Sequence, residues 1–482
     1  MMKKWMLLLG FFSFQRSKAQ VIIKDTLRPA FQWSVPVIDL PFTHDAAQTE
    51  ANRRSSGNAQ TSSTIRVADF GKAYRNLSMD QATEMARNLH GTLYYINNAA
   101  WYKWIRPSNT RRYILNRVLA NATALGTDYL ATKLPYGYAF QHEEFHRSVM
   151  SGYGIYSYDE VWRFGKGWDI AVTRVKDEDL IFLKDRHPAA QVRLAAAGVE
   201  GEYAYFLRMR RDNFFNRTGY PFTGLGILGT FHAINYVGLP LQKKFNAITD
   251  SILVRDKQDI LARDFTGYDF SAWVYDLFLP EEPYAARGGW PDGIGIKRPV
   301  KETELTQEMK TFLRTTANMQ YLNLVSPFMI GINRIRINNS LTANFALRSV
   351  PASFGYFAGG DFFLEMNDRK MLVSAGINKS KQLTLPDISV QFVDLRLRKD
   401  KLTADAGVAA WLQPRDQLFF AKKAAPGFSL NFRPEYRLSK HTGIAADFSY
   451  KTKGWQFGNP YLDQNFSGRL KLQINTGRYF KR

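Results

Sequence analysis

The chain of 482 residues contains no cysteine. That excludes disulfide cross-links, a thiolate nucleophile, cysteine-ligated zinc and lipid attachment at a cysteine behind a leader. Acidic residues are also in short supply: 43 Asp and Glu face 65 Lys and Arg, for a formal charge of +22. No nucleic-acid motif accompanies that charge and the basic residues are dispersed, so no nucleic-acid partner is expected; an anionic envelope surface fits better. Long apolar runs are scarce as well. One follows a basic head in Met1–Phe14 and is too short to span a membrane; with small residues at Ser17 and Ala19 it reads as a secretory signal peptide over 1–19, implying export. Another, Gly219–Leu241, has the length of a membrane span, but its glycines and the bracketing Pro221 and Pro240 favour a buried core helix.

Histidine is rare too, with 7 in the chain, so two of them four residues apart carry information. The segment Pro135–Met150 contains His142-Glu143-Glu144-Phe145-His146. On a helix, residues four apart stand one turn above each other on one face, where two imidazoles can hold one metal ion. The pattern resembles the H-E-x-x-H signature of the zincin metallopeptidases. That resemblance implies that His142 and His146 bind zinc and that Glu143 is the general base acting on the attacking water.

A zincin needs a third protein ligand. In the gluzincins, which this spacing is similar to, it is a Glu on a later helix; the matching stretch is Ala195-Ala-Ala-Gly-Val-Glu-Gly-Glu-Tyr203, whose small residues let two helices approach closely. Glu200 is the expected ligand and Glu202 the second candidate. Asp269, in the aromatic-rich stretch Asp264–Phe278, is expected either to cap a helix or, with Asp276, to orient the histidines. His232, inside the apolar run, is expected to be a core histidine or to face a developing oxyanion. One departure stands out: Val161–Val175 reads as a hairpin between the two helices, whereas a zincin has its sheet before the metal helix. A di-iron reading of Glu143-x-x-His146 lacks the second Glu-x-x-His it needs.

The remaining sequence divides by periodicity. Residues 20–64 are expected to be extended or flexible, the polar run between Asp45 and Thr64 having nothing to bury. From 65 to 325 the spacing is mainly helical. Ser78 with Gln81 makes a capping box before a helix, and Tyr113, Leu115, Val118, Leu119, Ala122 and Leu125 follow at turn-like intervals that predict a side packed against the metal helix. Past Ser326 the pattern changes to alternation with a period of two, as in Leu402, Ala404, Ala406 and Val408 or Phe428, Leu430 and Phe432, broken by polar turns. About eight to ten such strands resemble an outer-membrane β-barrel over 326–482, which implies an apolar outside, a polar inside and an aromatic girdle from Phe354, Tyr356, Trp411, Tyr436, Tyr450 and Trp455.

The expected fold is therefore α+β: a helical zincin-like domain followed by an antiparallel C-terminal β-barrel. The expected function is an exported zinc-dependent hydrolase, metallopeptidase-like, acting on peptide or protein at the outer membrane or in the periplasm. The competing expectation is a non-catalytic envelope binding or scaffold protein with structural histidines.

Overall fold

The computed structural model describes residues 20–21, 31–40, 77–131, 138–159, 163–165, 167–169, 171–367, 369–398 and 401–476. The expected leader and the polar run after Asp45 lie outside the described residues. The fold is α+β: nine α-helices among the described residues and a large antiparallel sheet.

Helix α1 (Met79–Trp104) starts where the sequence expects, with Ser78 Oγ accepting from the Gln81 N–H and Gln81 Oε1 accepting from the Ser78 N–H. It is followed by α2 (Thr110–Ala131) and α3 (Tyr138–Gly152). The expected hairpin is present as two nested pairs, β3 (Tyr158–Asp159) with β6 (Val172–Thr173) and β4 (Arg163–Gly165) with β5 (Gly167–Asp169). Then come α4 (Asp177–Arg186), α5 (Pro188–Phe215), α6 (Thr223–Gly238), α7 (Phe245–Arg255), α8 (Asp269–Phe278) and α9 (Gln307–Met319). Helix α5 is the axis of the molecule, packing against α1, α3, α4, α8 and the sheet. Helix α6 lies in the helical region as a partly buried element, and among the described residues no helix is long and apolar enough to cross a membrane.

The sheet has eleven strands. Its main part is a meander of neighbours, β7 (Ile335–Arg336), β8 (Leu341–Ala352), β9 (Gly355–Met366), β10 (Arg369–Lys379), β11 (Thr384–Arg398), β12 (Leu402–Pro414), β13 (Ala424–Arg437), β14 (Thr442–Lys451) and β15 (Asn465–Thr476). Two N-terminal strands complete it: β1 (Gln20–Val21) pairs with β7, and β2 (Phe31–Leu40) pairs with β15. Part of the stretch expected to be extended or flexible is thus a sheet strand, its pairing supplied by a partner more than 400 residues away, which local composition does not encode.

The expected closed barrel is also corrected, because β1 and β2 are the two edges and do not pair with each other. The sheet is nonetheless strongly curved. Eleven flat strands span about 48 Å from edge to edge at 4.8 Å spacing, whereas the ten peptide steps from Val21 to Phe31 reach at most about 36 Å.

The inner face of the curve is polar and buried. Arg348 meets Asp361 at 3.0 Å, Arg334 meets Glu365 at 2.9 Å, and Arg211 of α5 reaches Asp405 at 3.4 Å. Charges removed from water need such partners, so the pairing makes this interior tolerable. The outer face is apolar and exposed: the register lines up Val390, Val408, Leu430, Tyr450 and Phe466 across five strands, with Val408, Leu430 and Phe466 at least half exposed. On the inner face the neighbouring row reads Gln391, Gly407, Asn431, Ser449 and Ser467.

The aromatic girdle is not formed as expected. Phe354, Tyr356, Trp411 and Trp455 are buried, leaving Tyr436 as an exposed member of that set; Phe354 and Trp455 pack edge to face where the helices meet the sheet. The apolar side of α2 is corrected likewise. Leu115, Val118 and Leu125 point outward, while Asn116 and Asp128 are buried. Helical periodicity identifies a stripe but not the direction in which it faces.

Candidate metal centre

Helix α3 holds His142 and His146 on one face, and α5 runs against that face. The close approach depends on two glycines of α5. A Cβ on Gly201 would stand 2.8 Å from the Gln141 carbonyl and from Phe145 Cγ, and a Cβ on Gly198 would collide with both imidazoles. Four-residue steps along α5 then place Leu194, Gly198 and Glu202 on the side facing the histidines. Glu202 Oε1 accepts from His142 Nδ1 at 2.8 Å, and the Leu194 carbonyl accepts from His146 Nδ1 at 2.7 Å. With each Nδ1 engaged as donor, each Nε2 is left as a lone-pair donor of the kind a metal requires.

The third group is Asp269, the first residue of α8. Its Oδ2 lies 3.1 Å from His142 Nε2 and 3.1 Å from His146 Nε2. One ligand atom from each of His142, His146 and Asp269 lies within 4.8 Å of the others, and all three side chains are buried. Two imidazoles and a carboxylate form a donor set suited to a divalent ion such as zinc. The space above Gly198, within 2.5 Å of His146 Nε2 and nearer still to His142 Nε2, is one that any side chain would fill. The residues therefore fit a metal ion.

Glu200, the expected third ligand, is not part of this group. Its carboxylate is bound by Arg193, which lies buried with it, by Trp455 Nε1 at 3.2 Å and by the Gly458 N–H at 2.7 Å. The reason is helical geometry: positions 200 and 202 are about 200° apart around α5, so only one can face α3. Glu202 faces it but binds the far nitrogen of His142. Asp276 pairs with Arg287 at 2.8 Å and Lys184 at 3.3 Å, away from the histidines. His232 is half exposed, 3.7 Å from Glu202 Oε1 through Nδ1, and stacks on Tyr236 with ring centroids 5.9 Å apart.

Tyr236, not anticipated from sequence, donates to Asp269 Oδ2 at 3.1 Å. Its four-residue spacing from His232 was the available signal. Asp264 was passed over as well; its Oδ1 accepts from the Thr266 and Gly267 N–H groups and fixes the turn that leads into α8.

The electrostatics favour positive charge at His142. Burial depresses the affinity of His142 for a proton, but its bonds to Asp269 and Glu202 outweigh that, and its pKa lies well above the ordinary histidine value. Burial raises Asp269, but His146 and His142 hold its carboxyl below the usual range. Glu143 moves the other way. Burial, together with the carboxylates of Asp159, Asp269 and Asp264, raises its pKa well above the usual value against the opposing pull of His142.

No family model matches this chain, and neither a curated protein nor a solved structure matches it.

Proposed function

We propose that the protein is an exported zinc-dependent hydrolase, metallopeptidase-like, whose sheet is held in the outer membrane. The observation that carries the catalytic part is the convergence of His142 Nε2, His146 Nε2 and Asp269 Oδ2, with both Nδ1 atoms already engaged. Zinc bound by these three residues supplies a Lewis acid that polarises a carbonyl. The other roles belong to the chain itself. Glu202 and the Leu194 carbonyl orient the imidazoles, and Tyr236 steadies Asp269. Glu143, with its raised proton affinity, takes the proton from the attacking water and returns it to the leaving amine. Peptide or protein is the substrate class that goes with the H-E-x-x-H pattern.

The location rests on polarity. The sheet is polar where buried and apolar where exposed, the reverse of a soluble sheet and the arrangement a lipid-facing one requires. The protein carries out its chemistry on the polar side of that wall.

Two measurements test the reading. Purified protein should hold about one zinc per chain, lost in His142→Ala and in Asp269→Ala. Glu143→Gln should keep the metal and lose peptide hydrolysis. Absence of stoichiometric metal in the intact protein ends the hydrolase reading and leaves a binding or scaffold protein; metal with undiminished hydrolysis in Glu143→Gln removes the base.

A further inference from the structure

The two edges of the sheet stay unpaired with each other, yet β2 is not bare. Asn88 of α1 takes the place of a neighbouring strand: its Oδ1 accepts from the Ser34 N–H at 3.1 Å and its Nδ2 donates to the Ser34 carbonyl at 2.7 Å. Arg87 donates to the Gln32 carbonyl, two residues along the same edge. The Trp33 indole N–H adds a bond to Thr92 at 2.8 Å. Helix α1 therefore covers the β2 edge. From there α2 packs on α1, α6 on α2, and the segment 320–330 links α6 to β8. The gap in the sheet is thus bounded by a helix on its β2 side.

Both leading helices carry the polarity of the strands. Inward, α1 buries Glu84, Arg87, His90 and Asn98 beside Ala82, Ala86 and Tyr94, and α2 buries Asn116 and Asp128 beside Ala120 and Ala124. Outward, α1 exposes Met85, Leu89 and Ile96, and α2 exposes Ile114, Leu115, Val118, Leu125 and Tyr129. Between Tyr113 and Tyr129 the charged residues are Arg117 and Asp128. Arg117 donates to the Gly219 carbonyl at 2.7 Å, and Asp128 is buried. A soluble helix with its polar side in and its apolar side out would be the wrong way round.

One end of the pair is different in kind. At the α1–α2 junction, Lys103, Arg106, Arg111 and Arg112 are exposed beside Trp104, itself 68% exposed. Arg111 and Arg112 stand in the first turn of α2, where the helix dipole disfavours positive charge. Tryptophan with basic side chains is the composition of a headgroup boundary. From that boundary α2 extends about 33 Å at 1.5 Å per residue, close to the roughly 30 Å of bilayer hydrocarbon. Its low overall hydropathy follows from the polar inward face, as it does for a barrel strand.

We propose that the outward faces of α1 and α2 contact lipid hydrocarbon and close the membrane-facing wall that the sheet leaves open, with the basic and tryptophan-bearing α1–α2 junction at a headgroup layer. This rests on the membrane reading of the sheet given above. It also keeps the β2 edge from lipid, where an uncovered edge in hydrocarbon would leave backbone groups unbonded.

Because the chain has no cysteine, single labels are straightforward. Full-length Val118→Cys, Leu125→Cys, Leu430→Cys and Gln258→Cys, each carrying one fluorophore, would be reconstituted into phosphatidylcholine vesicles with and without brominated acyl chains. Ile114→Cys and Leu115→Cys repeat the measurement on the same face of α2. The expected result is loss of emission at 118 and 125 matching that at 430, shielding of all three from aqueous iodide, and the opposite behaviour at 258. Quenching at 430 with iodide access, or protection from both quenchers, at 118 and 125 overturns the helical wall and leaves the sheet in the membrane. Emission at 430 indifferent to brominated lipid removes the membrane reading and this inference with it.

Discussion

Gly198 and His142 occupy one space. A Cβ on residue 198 would sit within van der Waals overlap of the His142 ring and 2.5 Å from His146 Nε2, so the absence of a side chain on α5 is what leaves the two nitrogens free to share a ligand.

Gly198→Ala is therefore expected to weaken metal binding while the helices still form. Overpacking of this kind costs about 1–3 kcal/mol, which at 1.4 kcal/mol per decade weakens metal affinity by about 5- to 100-fold. Zinc content after dialysis against a weak chelator measures it. Full retention of zinc would mean that the ion does not bind beside this glycine.

Glu200→Gln should separate structure from chemistry. Removing the charge leaves Arg193 buried without its partner, a change that costs about 3–5 kcal/mol in comparable buried pairs. The bonds to Trp455 and Gly458 that join α5 to the β14–β15 connection weaken with it. The expected outcome is a lower denaturation midpoint with zinc content unchanged. A variant of full stability that loses zinc would restore Glu200 as a ligand.

Asp159 is buried, neither of its carboxylate oxygens has a hydrogen-bond partner among the described residues, and burial with the nearby Glu144 raises its pKa to about 8. A carboxyl raised in the folded state contributes stability that is full below its unfolded pKa and is lost as pH rises through the folded value. Metal-stripped protein should accordingly lose stability between about pH 4 and pH 8, and Asp159→Asn should flatten that dependence, becoming the more stable form at pH 8. Denaturation midpoints across the range measure both. Parallel curves for the two proteins would show that Asp159 ionises without penalty.

Part of the candidate metal centre was legible because its elements are local. The H-E-x-x-H spacing required only a helix, and the run of small residues at 195–198 announced a close helix–helix contact. The third member of the group was not legible. Choosing between Glu200 and Glu202 by sequence distance ignored that both lie on one helix with opposite outlooks, and the oxygen that completes the group comes from α8, brought in by tertiary packing. Asp269 carried a local signal for helix capping, which hid its place between the two histidines.

By itself the sequence determined where helices give way to strands, where two imidazoles share a face, and which residues alternate along each strand, because these depend on periods of 3.6 and 2 within one element. Only the tertiary structure decided which way each stripe points. An alternating strand or an amphipathic helix reads the same with its apolar side inward or outward, and in α1, α2 and β8–β15 the charged face is the buried one because paired Asp, Glu, Arg and Lys from distant elements meet there. Pairing of β2 with β15, and of the β2 edge with Asn88, likewise depends on partners that no local pattern names.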